Sequence, residues 1–509
     1  MTVESPVTYY AREIEKAGNE NIAETIRNAD ESQLTDENFI SALKSSNPEI
    51  KSHLEALKED LEEESGPKSF PMQEHAGAEL TEKAQAYADF LVEERNIRPV
   101  VIDSKTLFYK YDQETRRWEE VDFELIKKQA NKEMGKDYTN HFLRQFKQSF
   151  KDHHKYTEFK EMGLDRKKIL LKDGNILDLE TKETRPANKE DLALNSINAV
   201  YNPDAEPDRI KEFIEKTIDT EEGVKVIQEF LGYCLTWPSD KFEKALLILG
   251  YTDTGKSTLL KTIEQLFEGS NTTSMSFPQL GMDRAFHIDK LRDSLVNFDM
   301  DMDDKEIRRK SRVKKAISKE PLHADPKGEK GYEFQPKTNF MIASNNAPDD
   351  SSATDAYYNR FKTVMATTRI DPEDKERNLV EKLTTEKNMS WLLNWAIEGL
   401  ERLEEQNRFS KEMTEYEIKK AWDKFGTSTQ RFISDQIRVK TEDAKNIRTS
   451  DVYEAYELWC EKKLETPVPR NQFVSQAASH PDMRKEKAMV ENGGRAMCFM
   501  NIEVKDYAI

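Results

Sequence analysis

The chain has 509 residues, 36% hydrophobic and 34% charged, with a formal net charge of −19. That length allows roughly three domains of about 150 residues. The acidity excludes a protein that coats nucleic acid over its whole surface, although it permits a local basic channel. The three cysteines, Cys234, Cys460 and Cys498, lie far apart and have neither zinc-ligand spacing nor the density of a disulfide framework. The N-terminus lacks an apolar signal core, and no run approaches the roughly 18 apolar residues of a membrane span. A cytoplasmic protein that does not enter a membrane is therefore expected.

Residues 1–70 read as a helical appendage and linker. Ala11, Ile14, Ala17, Ile22 and Ile26 recur at a helical period, and Ser65-Gly66-Pro67 breaks the pattern. A solvated appendage and a partner-binding module both fit this segment. Residues 71–238 read as an α+β domain. Pro99 to Tyr111 alternates like a hairpin, with Trp118 in a further strand, and residues 123–163 look helical. Lys172 to Thr181 is a second hairpin-like stretch, turning at Asp173-Gly174. Asp204 to Thr236 is mostly helical.

Residues 239–405 form the predicted core. Ala245 to Leu249 is an apolar run of buried-strand length. Gly250-Tyr251-Thr252-Asp253-Thr254-Gly255-Lys256-Ser257 then fits G-x-x-x-x-G-K-[ST], the phosphate-binding loop, with Thr258 opening an amphipathic helix to Phe267. Glycines let backbone N–H groups turn toward phosphate oxygens, Lys256 supplies a charge for the β/γ-phosphates, and Ser257 offers a hydroxyl to Mg²⁺. ATP and Mg²⁺ are the cofactors expected.

Such a loop needs an acidic partner at the end of a neighbouring strand. Ser294 to Asp301, SLVNFDMD, supplies one, and Asp299 and Asp301 share a strand face. One carboxylate is expected to hold the metal and the other to orient water, without a choice between them. Asn339 to Pro348, NFMIASNNAP, is a third apolar strand with a polar end, where Asn345 is placed to hold a water aimed at the γ-phosphate. Ser390 to Leu403 is a strong amphipathic helix.

Residues 406–509 differ again. Ser450 is the expected N-cap of a helix whose face carries Val452, Tyr453, Tyr456, Trp459 and Cys460. Asn471 to Ala478 reads as a short second helix. Met483–Val490 and Arg495–Val504 are strand-like about a Glu491-Asn492-Gly493-Gly494 turn. Helix, turn, helix and hairpin is the order of a winged helix.

Taken together, the phosphate loop, LVNFDMD, KAISKEPLHADPKGEK and IASNNAP resemble the motifs of superfamily 3 helicases, and more closely the primase-helicases of phages, plasmids and poxviruses. DGNILDLETKETRP, YNPDAEP and EFLGYCLTWPSDKFEKALLILG resemble the domain that precedes the ATPase there, so the likeness covers roughly residues 95–505. The resemblance implies an α/β fold with a P-loop AAA+ core. It also implies a homo-hexameric ring, single-stranded or forked DNA as substrate, and a separate primase or polymerase as partner, in a prokaryotic or virus-infected cell. Lys327 and Lys330 correspond to the channel hairpin that grips one strand, and glycines at 328 and 331 permit its turn. Arg360 falls where the family's arginine reaches the neighbouring subunit's γ-phosphate, with Arg369 second. The phosphate loop departs from the family in carrying Thr252 and Asp253 where glycine is usual. The segment before residue 71 is too short for a primase domain. An ATP-switched initiator or loader remains the alternative to a motor.

Overall fold

The apolar runs within Ala245–Gly250 and Asn339–Ser344 become strands buried at every position, and both lie in a central sheet of five strands. The computed structural model describes residues 6–16, 19–29, 34, 43, 50, 53–57, 69–103, 105–153, 155–236, 241–267, 271–282, 287–302, 310–326, 331–347, 359–410, 413–439, 444–480, 482–489 and 494–505. Two short helices, Pro6–Lys16 and Glu20–Asn28, open the chain around a small cluster that includes Tyr10, Ile14 and Ile26.

Next comes a sheet of β1 (Ile97–Ile102), β2 (Lys105–Asp112), β3 (Arg117–Glu120) and β4 (Thr157–Glu158), in the order β3-β2-β1-β4. β1 and β2 pair antiparallel, as their alternation predicts. The helices Leu80–Glu93 and Asn140–Asp152 pack beside it, burying Tyr87, Phe142, Phe146 and Phe150. Residues 123–163 are not helical throughout. The last α-helix there stops at Asp152, and Thr157–Glu158 joins the sheet edge parallel to β1. A two-residue strand has no periodicity to betray it.

β5 (Lys168–Leu171), β6 (Asn175–Asp178), β7 (Thr184–Pro186) and β8 (Ser196–Ile197) form a second small sheet. Asp173-Gly174 turns the β5–β6 hairpin, with Gly174 at φ 78°.

The central sheet contains β9 (Ala245–Gly250), β10 (Thr272–Thr273), β11 (Val296–Asp299), β14 (Asn339–Ser344) and β15 (Phe361–Ala366). β12 (Leu322–Ala324) and β13 (Tyr332–Phe334) form a separate antiparallel ribbon between β11 and β14 in the chain. The sheet order is β10-β11-β14-β9-β15, and every pairing is parallel. β9 and β14 are buried at every position, as expected for parallel strands covered on both faces. Each such Leu or Ile contributes about 1.5–3 kcal/mol by leaving water. The helices Glu221–Leu235 and Glu386–Gln406 pack against one another beside this sheet. Their crossing encloses the fully buried Glu229, whose carboxylate accepts from Arg402 Nε at 2.7 Å and Ser410 N at 2.8 Å.

The C-terminal part has helices Ser428–Gln436, Thr449–Lys463 and Arg470–Ser479 around a sheet of β16 (Ile437–Val439), β17 (Lys445–Arg448), β18 (Lys485–Met489) and β19 (Arg495–Val504). Ser450 is not the cap of its helix. β17 runs directly into the helix, Arg448 occupies the N-cap position, and the Ser450 hydroxyl bonds its neighbour Asp451 instead. No helix among the described residues is long and apolar enough to cross a membrane, and the three cysteines are buried and unpaired.

Candidate active site at the C-terminal end of the central sheet

In open parallel sheets ligands meet the carboxyl ends of the strands. Here β9, β11 and β14 deliver the three strand-end motifs to that edge. The turn after β9 begins at Gly250, where an added Cβ would lie 1.8 Å from the Ala366 carbonyl oxygen. The close approach of β15 therefore requires glycine there. Tyr251, Thr252 and Asp253 are exposed. Asp253 takes the left-handed conformation at φ 62°, and Gly255 sits at φ 91°, a region that favours glycine. Thr254 is buried and its hydroxyl donates to Tyr251 O at 3.1 Å. The helix starts at Lys256 and runs to Phe267, so Ser257 and Thr258 lie in its first turn, where N–H groups are left for an anion.

The Lys256 side chain turns back into the loop and is 5% exposed. Its Nζ donates to Gly250 O at 3.0 Å, to Thr254 Oγ1 at 3.2 Å, to Tyr251 O, and to Asn345 Oδ1 at 3.1 Å. Burial lowers its amine to about 8, against the opposing pull of Asp301 and Asp253. Ser257 Oγ donates to Met300 O at 3.2 Å, between the two aspartates of the second motif. Asp299 is buried at the end of β11, and its carboxylate accepts from the Phe277 N–H at 3.4 Å. Asp301 is exposed beyond the strand. Asn345 is half-buried just past β14. Lys256, Ser257, Asp299, Asp301 and Asn345 thus gather at one edge.

Arg360 does not join them. It lies at the start of β15, where its carbonyl accepts from Ala245 N at 2.8 Å, at the opposite end of β9 from the loop. Strand rise over β9 separates the two by about 17 Å. Its guanidinium pairs with Glu243 at 2.6 Å. Arg369, the second candidate, sits on the loop side of its own chain, with Cζ 5.4 Å from the centre of the Tyr251 ring. The channel lysines Lys327 and Lys330 lie outside the described residues. So do Arg308 and Arg309, which precede the helix Lys310–Ile317.

Sequence reasoning missed the cover over the loop. After β15 the chain folds back so that Ile370 N donates to Asp253 O at 2.7 Å, and Lys375 pairs with the Asp253 carboxylate at 2.9 Å. That hydrogen bond holds the Asp253 carboxyl below its usual range. On the other side Thr217 and Phe213 close on Gly255, where an added Cβ would lie 3.1 Å from Thr217 Oγ1. Only the unusual aspartate within the loop hinted at a partner.

The arrangement can hold a polyanion. It offers one ammonium, free N–H groups at a helix N-terminus, and carboxylates beside a serine hydroxyl suited to a hard divalent cation.

Residues 248–381 match a family of unknown function, DUF5906. No curated protein matches the chain. Among solved structures, an apo structure of the NrS-1 C-terminal region is similar at 12% identity and a TM-score of 0.43, over 82% of this chain and 99% of that one. The A form of the same apo region is similar at 12% identity and a TM-score of 0.39, over 80% and 95%.

Proposed function

We propose that the chain is an ATP-dependent, ring-forming DNA helicase that serves replication of a virus or plasmid-like element. Its core is read as a P-loop AAA+ ATPase of superfamily 3 type, followed by a winged-helix domain. The observation that carries this reading is the 3.1 Å contact of Lys256 Nζ with Asn345 Oδ1. It joins the first and third motifs at the strand ends where the second motif also lies.

Gly250 to Thr258 would hold the phosphates of ATP. Ser257 with Asp299 and Asp301 would hold Mg²⁺, which when bound neutralises phosphate charge. Asn345 is positioned to orient water. The far-end position of Arg360 supports a role on a neighbouring subunit's nucleotide, since it lies away from the loop of its own chain. The β12–β13 ribbon supports the channel-hairpin reading, since Lys327 and Lys330 fall between its two strands in the sequence.

The test is unwinding of a forked duplex by the purified chain and by Lys256→Ala. Loss of both hydrolysis and unwinding in the variant is expected. Unwinding at the wild-type rate by Lys256→Ala overturns the reading. A hydrolysis-dead Asp301→Asn variant that still melts its origin would instead identify an ATP-switched initiator.

A further inference from the structure

The outer arm of the phosphate loop, residues 251–253, is held by chain that lies outside the motif. Ile370 N donates to Asp253 O at 2.7 Å, and Lys375 Nζ stands 2.9 Å from the Asp253 carboxylate. Arg369 Cζ lies 5.4 Å from the centre of the Tyr251 ring, and the Phe425 ring centre lies 5.2 Å from it.

The strap of residues 367–376 is fastened at both ends. Thr367 donates to the Asp219 carboxylate through its N–H and its hydroxyl, each at 2.8 Å. Glu376 accepts from Arg209 Nη1 at 2.9 Å and from Lys382 Nζ at 3.0 Å. Arg209 stands at the start of the helix Ile210–Thr217, which brings Phe213 and Thr217 against Gly255. Strap and helix therefore clasp the loop together. Within the strap, Pro372–Asp374 forms a single 3₁₀ turn that ends at Lys375. Proline at the first position of that turn fixes φ and limits where the lysine can go.

Asp253 gives this clasp something to do. Its backbone is left-handed at φ 62°. Glycine is unstrained there, and aspartate or asparagine is tolerated. Glycine would add no charge. The aspartate instead sets a carboxylate on a loop shaped for phosphates, within electrostatic reach of Lys256. An extra negative charge beside a polyphosphate opposes its binding. Lys375 and Asp253 are 47% and 61% exposed, and an ion pair so open to water adds little to stability. Its effect is local. It removes net charge from the outer arm and fixes the direction of the carboxylate.

We propose that Lys375 is a positioning residue of the nucleotide site, which neutralises Asp253 and ties the strap to the loop so that the loop accepts a polyphosphate despite its carboxylate. The inference rests on the ATP-binding reading above and adds to it a cation from outside the motif. Lys375 acts through Asp253 and does not itself meet the phosphates.

The experiment titrates the full chain with a fluorescent, slowly hydrolysed ATP analogue and Mg²⁺. Salt is set at about 0.1 M and about 1 M, where the Debye length is about 10 Å and about 3 Å. Lys375→Ala should bind about five- to tenfold more weakly at the lower salt and within about twofold of wild type at the higher. Lys375→Arg keeps the charge and should stay within about twofold at both. The melting temperature of Lys375→Ala should remain within about 2 °C of wild type. In an Asp253→Asn background the same Lys375→Ala change should cost less than about twofold, because asparagine tolerates the left-handed backbone and carries no charge. Wild-type affinity of Lys375→Ala at the lower salt overturns the proposal. An equal loss in both backgrounds also overturns it, since Lys375 would then meet the phosphates directly. Both outcomes leave the function proposed above standing. A wild-type chain that binds no analogue overturns that function and this inference with it.

Discussion

Lys256 Nζ donates to Asn345 Oδ1 across 3.1 Å, linking the helix that follows β9 to the end of β14. The two residues lie far apart in the chain, and the parallel register of β9 with β14 brings them together, with Leu249 opposite Ser344. Asn345→Ala should leave ATP binding within a few-fold of wild type and slow turnover about 10²-fold, in the range seen when one positioned polar group is removed from an active site. Separate measurement of nucleotide affinity and single-turnover hydrolysis checks this. An equal loss in affinity and turnover would make Asn345 a binding residue only.

Burial lowers the Lys256 amine to about 8. The unfolded chain therefore binds the extra proton between about pH 8 and the ordinary lysine value, and the folded protein does not. The cost to folding is fully present below about pH 8 and is relieved as pH rises through that window. For ligand binding the sign is opposite, because phosphate needs the charged form. ATP affinity should fall as pH rises above about 8, with proton uptake on binding. Calorimetry in buffers of different ionisation enthalpy measures that uptake. Affinity that stays flat from about pH 7 to 9.5 would contradict it.

Gly250→Ala sets a methyl group 1.8 Å from the Ala366 carbonyl oxygen. Backbone cannot give way as a flexible side chain can, so the β9–β15 pairing must open. A loss of about 3 kcal/mol or more is expected from denaturant unfolding. A stability within about 1 kcal/mol of wild type would mean that β15 does not approach β9 as described.

Arg360 and the loop occupy opposite ends of β9. Arg360→Ala should bind ATP normally yet turn it over slowly, by a factor of about 10³. Mixing it with Lys256→Ala subunits should restore part of the activity, because some interfaces then combine an intact loop with an intact arginine. Two variants that remain inactive in every mixture would remove Arg360 from the site.

The central strands were legible because each motif is a short, mainly apolar run with polar residues at its end, interrupted in β11 by Asn297. That pattern survives folding unchanged, and β9, β11 and β14 lie where the runs place them. The second hairpin was legible from Asp173-Gly174, whose glycine takes the positive φ expected of it. What stayed hidden depends on contacts distant in sequence. Lys375 reaches Asp253, and Ile370 bonds its carbonyl, yet neither residue has a local signature. The buried state of Lys256 is set by carbonyls of its own loop and by an amide from another strand. Ser450 misled because a good capping residue does not cap when a strand enters the helix directly.

ATP hydrolysis by the purified chain, with and without single-stranded DNA and over a range of salt, tests the central claim most directly. The account predicts strong stimulation by DNA that declines steeply as salt rises, because a motor grips phosphates. ATP binding through the Lys256 loop with hydrolysis indifferent to DNA at every salt concentration would contradict it.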